Sequence, residues 1–226
     1  MAHVFRFFLP PTGAVASGER VALSKDDAHR VRKVLRLGAG EAVEAADGTG
    51  RVFAATVDDP KLGTLLLGPE LPAQPDLAPL RVLLAQSGPR ADDAVEKLVE
   101  LGVAEIGPLL ASGRRQEARV DRWERVAAGA AAQAKLPRIP QILAPVAFAD
   151  ALGPGAVLCS HEDPDGPLVD LAPRTLLIGP EAGFSAEEHA QARAAGVPIA
   201  SLGPTVLRTE TAAIVAAALA AATLRA

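Results

Sequence analysis

The sequence predicts an α/β protein in which a small β-rich unit precedes a larger unit built on a parallel sheet. Short apolar strands alternate with helices after residue 80, whereas the first 68 residues hold short strand candidates around one helix. Between these regions, residues 69–79 contain four prolines in eleven positions. Such a stretch is stiff and typical of a domain boundary. We therefore expect two domains, at residues 1–72 and 73–226.

Five short strands are predicted in the first region. They are Val4–Phe8, Arg20–Ser24, Glu41–Ala46, Arg51–Val57 and Thr64–Leu67. The sequence Asp-Gly-Thr-Gly at 47–50 separates two of them and is a strong hairpin signal. These features are typical of a small sheet with tight connections.

One helix is expected to interrupt these strands. Ser24 can cap its start together with Asp27, and Gly38 can end it. The helical period predicts an inward stripe of Val31, Val34 and Leu35. Arg30, Lys33 and Arg36 are then expected to face solvent.

Strand–helix alternation in the second region predicts a parallel sheet covered on both faces. The predicted strands are Leu80–Ala85, Val103–Leu110, Ala156–Ser160, Thr175–Ile178 and Ile199–Leu202. The predicted helices are Asp92–Leu101, Val120–Ala134, Ser185–Ala195 and Thr209–Leu224. Ser185 and Glu188 form a capping-box pattern at the start of the third of these helices.

Composition favours a globular cytoplasmic protein. The 226 residues are 49% hydrophobic and 22% charged, with a mean hydropathy of +0.21, which excludes wholesale disorder. The longest apolar run has 11 residues, at 212–222, whereas a membrane span needs about 20. The amino-terminal residues lack the cationic and apolar pattern of a secretion signal. No membrane association is expected.

Neither a metal site nor a disulfide is predicted. Cys159 is the single cysteine and lies in an apolar run, as a buried thiol would. The four histidines include no pair at metal-ligand spacing.

Charge is distributed unevenly along the chain. The net charge is −4, so the protein is not a bulk binder of polyanions. Residues 29–36 nevertheless carry four cations and no acid, and a second basic cluster includes Arg114 and Arg115. Local basic patches on an acidic protein can bind nucleic acid selectively. Charge alone, however, favours the interpretation that the two basic clusters are ordinary solvent-exposed helix faces.

Two glycine-containing segments, at 177–185 and 201–212, follow predicted parallel strands and run into helices. Glycine allows a ligand to approach the backbone closely, and ligands of open α/β sheets bind beyond the strand ends. Ordinary turns would explain the glycines alone. They explain less well why Arg208 and Glu210 stand at the mouth of an otherwise apolar alanine helix. No G-x-G-x-x-G, Walker A or G-x-S-x-G motif is present, which argues against dinucleotide, P-loop and hydrolase sites.

Several motifs occur in a characteristic order along the chain. They are Arg-Phe-Phe at 6–8, Lys-Leu-Val-Glu-Leu-Gly-Val at 97–103, Arg-Trp at 122–123, Ala-Ala-Ala-Gln at 130–133, Leu-Ile-Gly-Pro-Glu-Ala-Gly-Phe-Ser at 177–185 and Val-Leu-Arg-Thr-Glu-Thr-Ala at 206–212. Together they closely resemble the RsmE family of 16S ribosomal RNA uridine-N3 methyltransferases, within the SPOUT (α/β-knot) superfamily. The resemblance covers nearly the whole chain.

This resemblance implies an N-terminal PUA-like β-barrel that binds RNA and a C-terminal domain tied in a trefoil knot. It implies a homodimer that binds S-adenosyl-L-methionine (SAM) at the knotted loops. The substrate would be 16S rRNA of the small ribosomal subunit, with U1498 of the decoding region as the family's site. The implied cofactor-binding residues are Leu177, Ile178, Gly179, Pro180, Glu181, Gly183, Leu202, Gly203, Val206, Leu207 and Arg208.

The implied reaction assigns catalytic candidates. SAM carries its methyl group on a sulfonium, so no metal is needed and the main task is positioning. N3 of uracil is protonated at neutral pH, so a base must remove the proton or a cation must stabilise the anionic ring. We expect Arg208 and Glu210 to be catalytic, with Arg208 as the cation. Glu210 or Glu181 would act as the base, or would only orient Arg208.

Phosphate contacts are expected on the RNA-binding side, chiefly in the first region. The candidates are Arg6, Arg30, Arg32, Lys33 and Arg36, with Arg114 and Arg115 as secondary ones. The chain also departs from the family. Ala182 replaces a glycine of the first glycine segment, and residues 129–137 lack the acidic, serine and arginine positions of the corresponding family block.

Three alternatives are left open. The first groups the chain with SPOUT enzymes that methylate another RNA base or a ribose 2′-hydroxyl, although the intact run at 206–212 argues against this. A non-catalytic RNA-binding or ribosome-assembly protein would explain the divergent block at 129–137. An unrelated small-molecule α/β enzyme would leave the two basic patches unexplained.

Overall fold

The computed structural model describes residues 4–11, 14–86, 88–111 and 120–225. The chain divides into two units, Met1–Asp76 with Ala131–Ile139 and Leu77–Ala130 with Pro140–Ala226. The first unit therefore includes a segment from beyond the proline-rich linker, which a single division at that linker does not anticipate.

The first unit is built on a five-stranded sheet. Its strands are β1 (Arg6–Phe8), β2 (Arg20–Ala22), β3 (Ala42–Ala46), β4 (Val52–Asp59) and β5 (Thr64–Glu70). Their order is β1-β3-β4-β5-β2, with β1 parallel to β3 and all other neighbours antiparallel. The hairpin predicted at 47–50 joins β3 to β4 and is confirmed. Large side chains such as Phe7 and Phe53 fill the core of this unit.

The helix of the first unit begins where the sequence predicts. The Oγ atom of Ser24 accepts a hydrogen bond from the backbone N–H of Asp27 at 3.1 Å. Helix α1 (Lys25–His29) follows, and the chain then continues as a π-helix over Arg30–Leu35. The π-helix was not predicted, because a regular helical period was assumed throughout.

The π-helix corrects two expectations. The backbone N–H of Arg36 donates to the carbonyl of Val31, five residues back, and Arg36 has a φ of 55°. The helix therefore ends at Arg36 and not at Gly38. Because a π-helix has more residues per turn than an α-helix, Val34 does not share the inward face with Val31. The side chain of Val34 is 66% exposed, whereas that of Val31 is fully buried.

The second unit is built on a parallel sheet, as predicted. Its strands are β6 (Ala78–Leu84), β7 (Val103–Leu110), β8 (Gln141–Ile142), β9 (Val146–Ala147), β10 (Ala156–Cys159), β11 (Gly166–Pro167), β12 (Thr175–Ile178) and β13 (Ile199–Ser201). Their order is β11-β13-β10-β12-β6-β7-β8, β9 also pairs with β7, and every pair is parallel. Three two-residue strands were missed because so short a segment shows no periodicity.

Helices flank this sheet. They are α2 (Pro89–Glu100), α3 (Val120–Gln133), α4 (Ala186–Ala194) and α5 (Thr209–Arg225), with short 3-10 turns at Ala149–Ala151 and Leu168–Asp170. Helix α5 packs on β6 and β12, α2 packs on β7 and α5, and α4 packs on β13. All four residues of β10 are buried, so both faces of the sheet are covered there.

The predicted capping box at the start of α4 is confirmed. The Oγ atom of Ser185 accepts from the backbone N–H of Glu188 at 3.2 Å, and the N–H of Ser185 donates to the Glu188 carboxylate at 2.8 Å. Both bonds satisfy amides that a helix start leaves without partners. They fix the point where the chain leaves the edge of the sheet and enters α4.

Candidate functional site

Three loops leave the second sheet at one edge. The first loop (179–185) follows β12, the second loop (202–208) follows β13, and the third loop (160–165) follows β10. Strand β10 pairs in parallel with both β12 and β13. The carboxyl ends of the three strands therefore lie side by side, the usual position of a ligand site in an open α/β sheet.

A pocket opens at this edge, walled by the three loops and the start of α5. It is lined by Cys159, Ser160, His161, Ile178, Gly179, Pro180, Glu181, Gly183, Phe184, Leu202, Gly203, Thr205, Val206, Leu207, Thr209 and Ala212. Nine of the eleven residues expected to bind the cofactor are among them. The two glycine segments, far apart in the sequence, thus form one concave surface.

The other two residues lie outside the pocket lining. Leu177 is fully buried in the hydrophobic core of the second unit, because alternate residues of β12 point to opposite faces of the sheet. The side chain of Leu177 therefore does not line the pocket. Arg208 is exposed at the end of the second loop, immediately before α5.

Glycine is required at two positions of the first loop. A Cβ atom on Gly179 would lie 3.0 Å from the ring of Phe184, closer than ordinary van der Waals contact. Gly183 has a φ of 78°, and its N–H donates to the carbonyl of Pro180 at 2.9 Å. A residue with a side chain is strained at this φ. The glycines therefore set the shape of the pocket wall.

A buried hydroxyl joins the first loop to the start of α5. Thr209 is only 3% exposed, and its Oγ1 donates a hydrogen bond to the carbonyl of Gly179 at 3.1 Å. The second loop is held within itself, since the N–H of Gly203 donates to Ser201 Oγ at 3.1 Å. The Thr209 bond therefore ties the two glycine segments together, and the Ser201 bond restrains the second loop.

The third loop was not predicted as part of the site. Ser160 and His161 line the pocket, but residues 160–165 contain no glycine, the residue that marked the two predicted segments. The signal that would have found them is their place directly after a buried parallel strand. Phe184, Thr205, Thr209 and Ala212 were also not predicted as pocket residues, although they lie within or beside the predicted segments.

Cys159 also lines the pocket, but its thiol is a weak nucleophile. Burial raises the pKa of its thiol to about 12, because a thiolate is poorly solvated in an apolar surrounding. The thiol therefore stays protonated at neutral pH and is a weak nucleophile. The prediction of a buried thiol is confirmed, since Cys159 is 8% exposed.

The carboxylate of Glu210 is held beside the start of α5. Its Oε2 accepts a hydrogen bond from Nε2 of Gln86 at 3.0 Å, and Nε of Arg90 lies 3.9 Å from its Oε1. The Gln86 bond, followed by the backbone N–H of Glu210 and the charges of Arg90 and Arg208, lowers the pKa of this carboxyl below its usual value. Glu210 is therefore a fixed anion at neutral pH.

The structure corrects the expectation for Arg6. Its side chain is fully buried in the first unit, where it donates to Glu44 Oε2 at 2.8 Å, to Gln74 Oε1 at 2.8 Å and to the carbonyl of Lys135. A buried guanidinium with these partners cannot reach a phosphate. Its charge and sequence motif alone do not reveal whether such an arginine lies inside or outside.

The other predicted RNA contacts differ in their surroundings. Arg30 is half-buried, with its guanidinium 5.9 Å from the centre of the Phe7 ring. Arg32, Lys33 and Arg36 are exposed, and no acid of the described residues lies within ion-pair distance of them. Arg114 and Arg115 lie outside the residues that the structure describes.

Two searches of the described chain gave no candidates. In this part of the chain no three or more side chains of histidine, cysteine, aspartate or glutamate are grouped as metal ligands would be. Within the same residues, no helix has both the length and the hydropathy needed to cross a membrane.

The fold and the pocket define a class of protein. A parallel sheet whose strand-end loops enclose an apolar pocket is typical of α/β enzymes that bind a small organic ligand. Among the residues lining this pocket, Glu181 is the one acidic side chain. The site thus suits a ligand with an apolar part and a positive charge.

Comparison with known proteins gives the family. Residues 76–221 match the RNA methyltransferase domain family, and the chain belongs to it. It is 31% identical to the ribosomal RNA small subunit methyltransferase E of Mycobacterium bovis, over 92% of this chain and 86% of that protein.

Two solved structures are similar over almost the whole chain. One is a ribosomal RNA small subunit methyltransferase E from Neisseria gonorrhoeae bound to SAM, with a TM-score of 0.83 at 27% identity and 96% of each chain covered. The other is a Legionella pneumophila protein with bound SAM, with a TM-score of 0.86 at 28% identity and 98% of each chain covered.

Proposed function

We propose that this chain transfers the methyl group of SAM to N3 of a uridine in 16S ribosomal RNA. The observation that carries the proposal is the pocket at the carboxyl ends of β10, β12 and β13, formed by the two glycine segments. It occurs in a chain similar over 92% of its length to a small subunit methyltransferase E. The same proposal includes a cytoplasmic location, which the sequence also predicts, because the substrate is ribosomal RNA.

The pocket residues fit SAM by their chemistry. Apolar side chains, among them Ile178, Val206 and Leu207, suit the adenine ring, and the Glu181 carboxylate suits a cationic group. Bound SAM supplies a methyl group already activated for transfer. The protonated thiol of Cys159 does not compete with the RNA as the methyl acceptor, because only a thiolate is strongly nucleophilic.

The residues around α5 then act on the uracil. Arg208 is exposed beside the pocket and is proposed to face a uracil oxygen and stabilise the anionic ring. A carboxyl whose pKa is lowered is a weaker proton acceptor than an ordinary one, and Gln86 and Arg90 already engage Glu210. This favours Glu210 as the fixed anion that orients Arg208, and leaves Glu181 as the candidate base.

Arg208→Ala tests this assignment. The variant should lose far more methyl-transfer rate than SAM affinity, because Arg208 lies outside the pocket lining. Initial rates on small ribosomal subunits and calorimetric titration with SAM measure the two quantities. Equal losses in both would show that Arg208 serves cofactor binding instead of catalysis.

The remaining architecture is proposed from family membership. The five-stranded sheet of the first unit would be a PUA-like barrel that binds RNA, and the second unit would carry the trefoil knot around the pocket. The working form would be a homodimer, which analytical ultracentrifugation of the full chain tests. Cofactor contacts are proposed for the nine predicted residues that line the pocket.

The exposed cations of the π-helix support an RNA surface on the first unit. Replacing Arg32, Lys33 and Arg36 by glutamine should weaken RNA binding and flatten its dependence on salt, because each lost phosphate contact releases one counterion fewer. Binding of unmodified 16S rRNA at several salt concentrations measures the slope. An unchanged slope would mean that these cations are only a solvated surface.

One experiment tests the whole proposal. The purified chain is incubated with isotopically labelled SAM and small ribosomal subunits that lack the modification, and the RNA is digested to nucleosides for mass spectrometry. Labelled 3-methyluridine is expected. Absence of label, with the same subunits methylated by a known family member, would support a non-catalytic RNA-binding protein. A different labelled nucleoside would keep the RNA methyltransferase class and discard the uridine-N3 assignment.

A further inference from the structure

The third loop carries a polar pair that the proposed function does not use. Ser160 lines the pocket directly after β10, and its Oγ lies 3.1 Å from Nε2 of His189 on α4. The other ring nitrogen of His189, Nδ1, lies 3.0 Å from the backbone carbonyl of Ser185. The pair therefore links the wall of the pocket to the first turns of α4.

The contact between Nδ1 and a carbonyl determines the tautomer of the neutral His189 ring. A carbonyl oxygen only accepts hydrogen bonds, so Nδ1 of His189 must carry a hydrogen. In the neutral ring Nε2 is then an acceptor, and the hydroxyl of Ser160 is the donor to it. The ring orientation is further restricted by Phe184, whose ring packs edge-to-face with the imidazole at 6.2 Å between centroids.

The Ser160 oxygen has one acceptor position left. A hydroxyl offers one donor and two acceptor lone pairs. The donor goes to His189, and the backbone N–H of Glu162 donates to Oγ at 3.1 Å. The second lone pair is available to a donor in the pocket, and His189 sets its direction by holding the hydroxyl hydrogen away.

We infer that Ser160 is a ligand of a ribose hydroxyl of SAM and that His189 is the positioning residue that orients it. The inference rests on the proposed function, because SAM must occupy the pocket. Apolar side chains at Ile178, Leu202 and Val206 suit the adenine ring. The polar part of the wall formed by Ser160 and His161 is left for the hydroxyls of the sugar.

SAM affinity of the full chain tests the pair, measured by isothermal titration calorimetry. Ser160→Ala and His189→Leu should each raise the Kd about fivefold, the usual effect of one lost neutral hydrogen bond. The double variant should be no weaker than either single one, because both act through one hydroxyl. His189→Gln should restore the Kd to within about twofold, since a glutamine oxygen can accept from Ser160.

Two control variants distinguish the loss of Ser160 orientation from a general loss of folding. Gln191→Leu places the same new side chain on α4, and Thr223→Ala removes a hydroxyl that donates to Leu219 on α5. Both should keep the wild-type Kd. In methylation assays the KM for SAM should rise in Ser160→Ala while kcat at saturating SAM stays within about twofold, because the contact is made to the nucleoside and not to the reacting groups.

Deoxy analogues identify the partner group. Removal of the contacting hydroxyl from S-adenosylhomocysteine, as the 2′-deoxy or the 3′-deoxy compound, should weaken binding to the wild type but not to Ser160→Ala. Equal losses in both proteins, or additive losses in the double variant, would overturn the inference and leave the proposed function intact. A wild-type chain that does not bind SAM would overturn both.

Discussion

Replacing Arg6 by alanine is expected to destabilise the first unit by about 3–5 kcal/mol, because removing one partner of a buried ion pair leaves the other charge without compensation. Arg6 donates to Glu44 Oε2 from Nε at 3.1 Å and from Nη2 at 2.8 Å. It also donates to the side chain of Gln74 and to the carbonyl of Lys135. All of these partners belong to the first unit.

The surroundings of Glu44 place the effect near the lower end of that range. The Nζ atom of Lys135 lies 3.4 Å from Glu44 Oε1, so the carboxylate keeps one cation after Arg6 is removed. The side chain of Gln74 and the carbonyl of Lys135 each lose a donor, which costs about 1 kcal/mol apiece if water does not enter. A loss of about 3 kcal/mol is large beside a domain stability of about 5–15 kcal/mol.

Native-state hydrogen exchange of the amides of β3 measures this effect locally, which matters because a chain of two units need not unfold in one transition. Arg20→Ala is the matched control. Its guanidinium is 67% exposed and pairs with Asp58 at 3.1 Å, so its loss should cost less than about 1 kcal/mol.

Two measurements together can refute this reasoning. If exchange in β3 is unchanged in Arg6→Ala while RNA affinity and its salt slope both fall, then Arg6 contacts phosphate and the burial described for it is not the state that binds RNA. If β3 exchange accelerates and the RNA affinity of the remaining folded protein is unchanged, Arg6 is a structural residue.

Three further predictions concern the second unit. Thr209→Val should cost about 1–3 kcal/mol in urea unfolding and weaken SAM binding in calorimetry, since the Gly179 carbonyl loses its buried donor; unchanged affinity would mean the loops are not held by this bond. Gln86→Leu removes the main cause of the lowered pKa of Glu210. A lowered pKa contributes stability above the ordinary carboxyl pKa that is lost as pH falls through the folded-state pKa, so between about pH 5 and 3 the wild type should lose more stability than this variant. Cys159 should react with iodoacetamide at pH 8 only after urea unfolding, because burial keeps its thiol protonated, and rapid labelling of the folded chain would contradict this.

Long periodic elements of the fold could be predicted from the sequence, and short or irregular ones could not. The strands that form the centre of the parallel sheet are continuous apolar runs, and the α4 helix is marked by its Ser185 and Glu188 capping box. The two-residue strands carry no period that could mark them. The extension of the first unit to residues 131–139 depends on tertiary contacts that no local pattern reveals.

In the candidate site, the loops marked by sequence motifs could be predicted, whereas residues placed by tertiary packing could not. Glycine next to a strand end marked both main loops, since close approach to a ligand needs a residue without a side chain. Ser160 carries no such mark, and its place in the pocket follows from the position of β10 between β12 and β13. The motif that includes Arg6 was assigned to RNA from the family resemblance, but burial gives that arginine a structural role.

The π-helix explains how one short segment can contribute both to the core and to the proposed RNA surface. Val31 is fully buried, and a regular helix would turn Val34 toward the same core. The wider turn instead leaves Val34 exposed among Arg32, Lys33 and Arg36. An apolar side chain among cations suits a nucleic acid, which offers sugars and bases as well as phosphates. π-Helical turns are frequent at functional sites, and this one adds an exposed apolar side chain to the three exposed cations. The π-helix, which the regular helical period did not predict, therefore supports the proposal that this surface binds RNA.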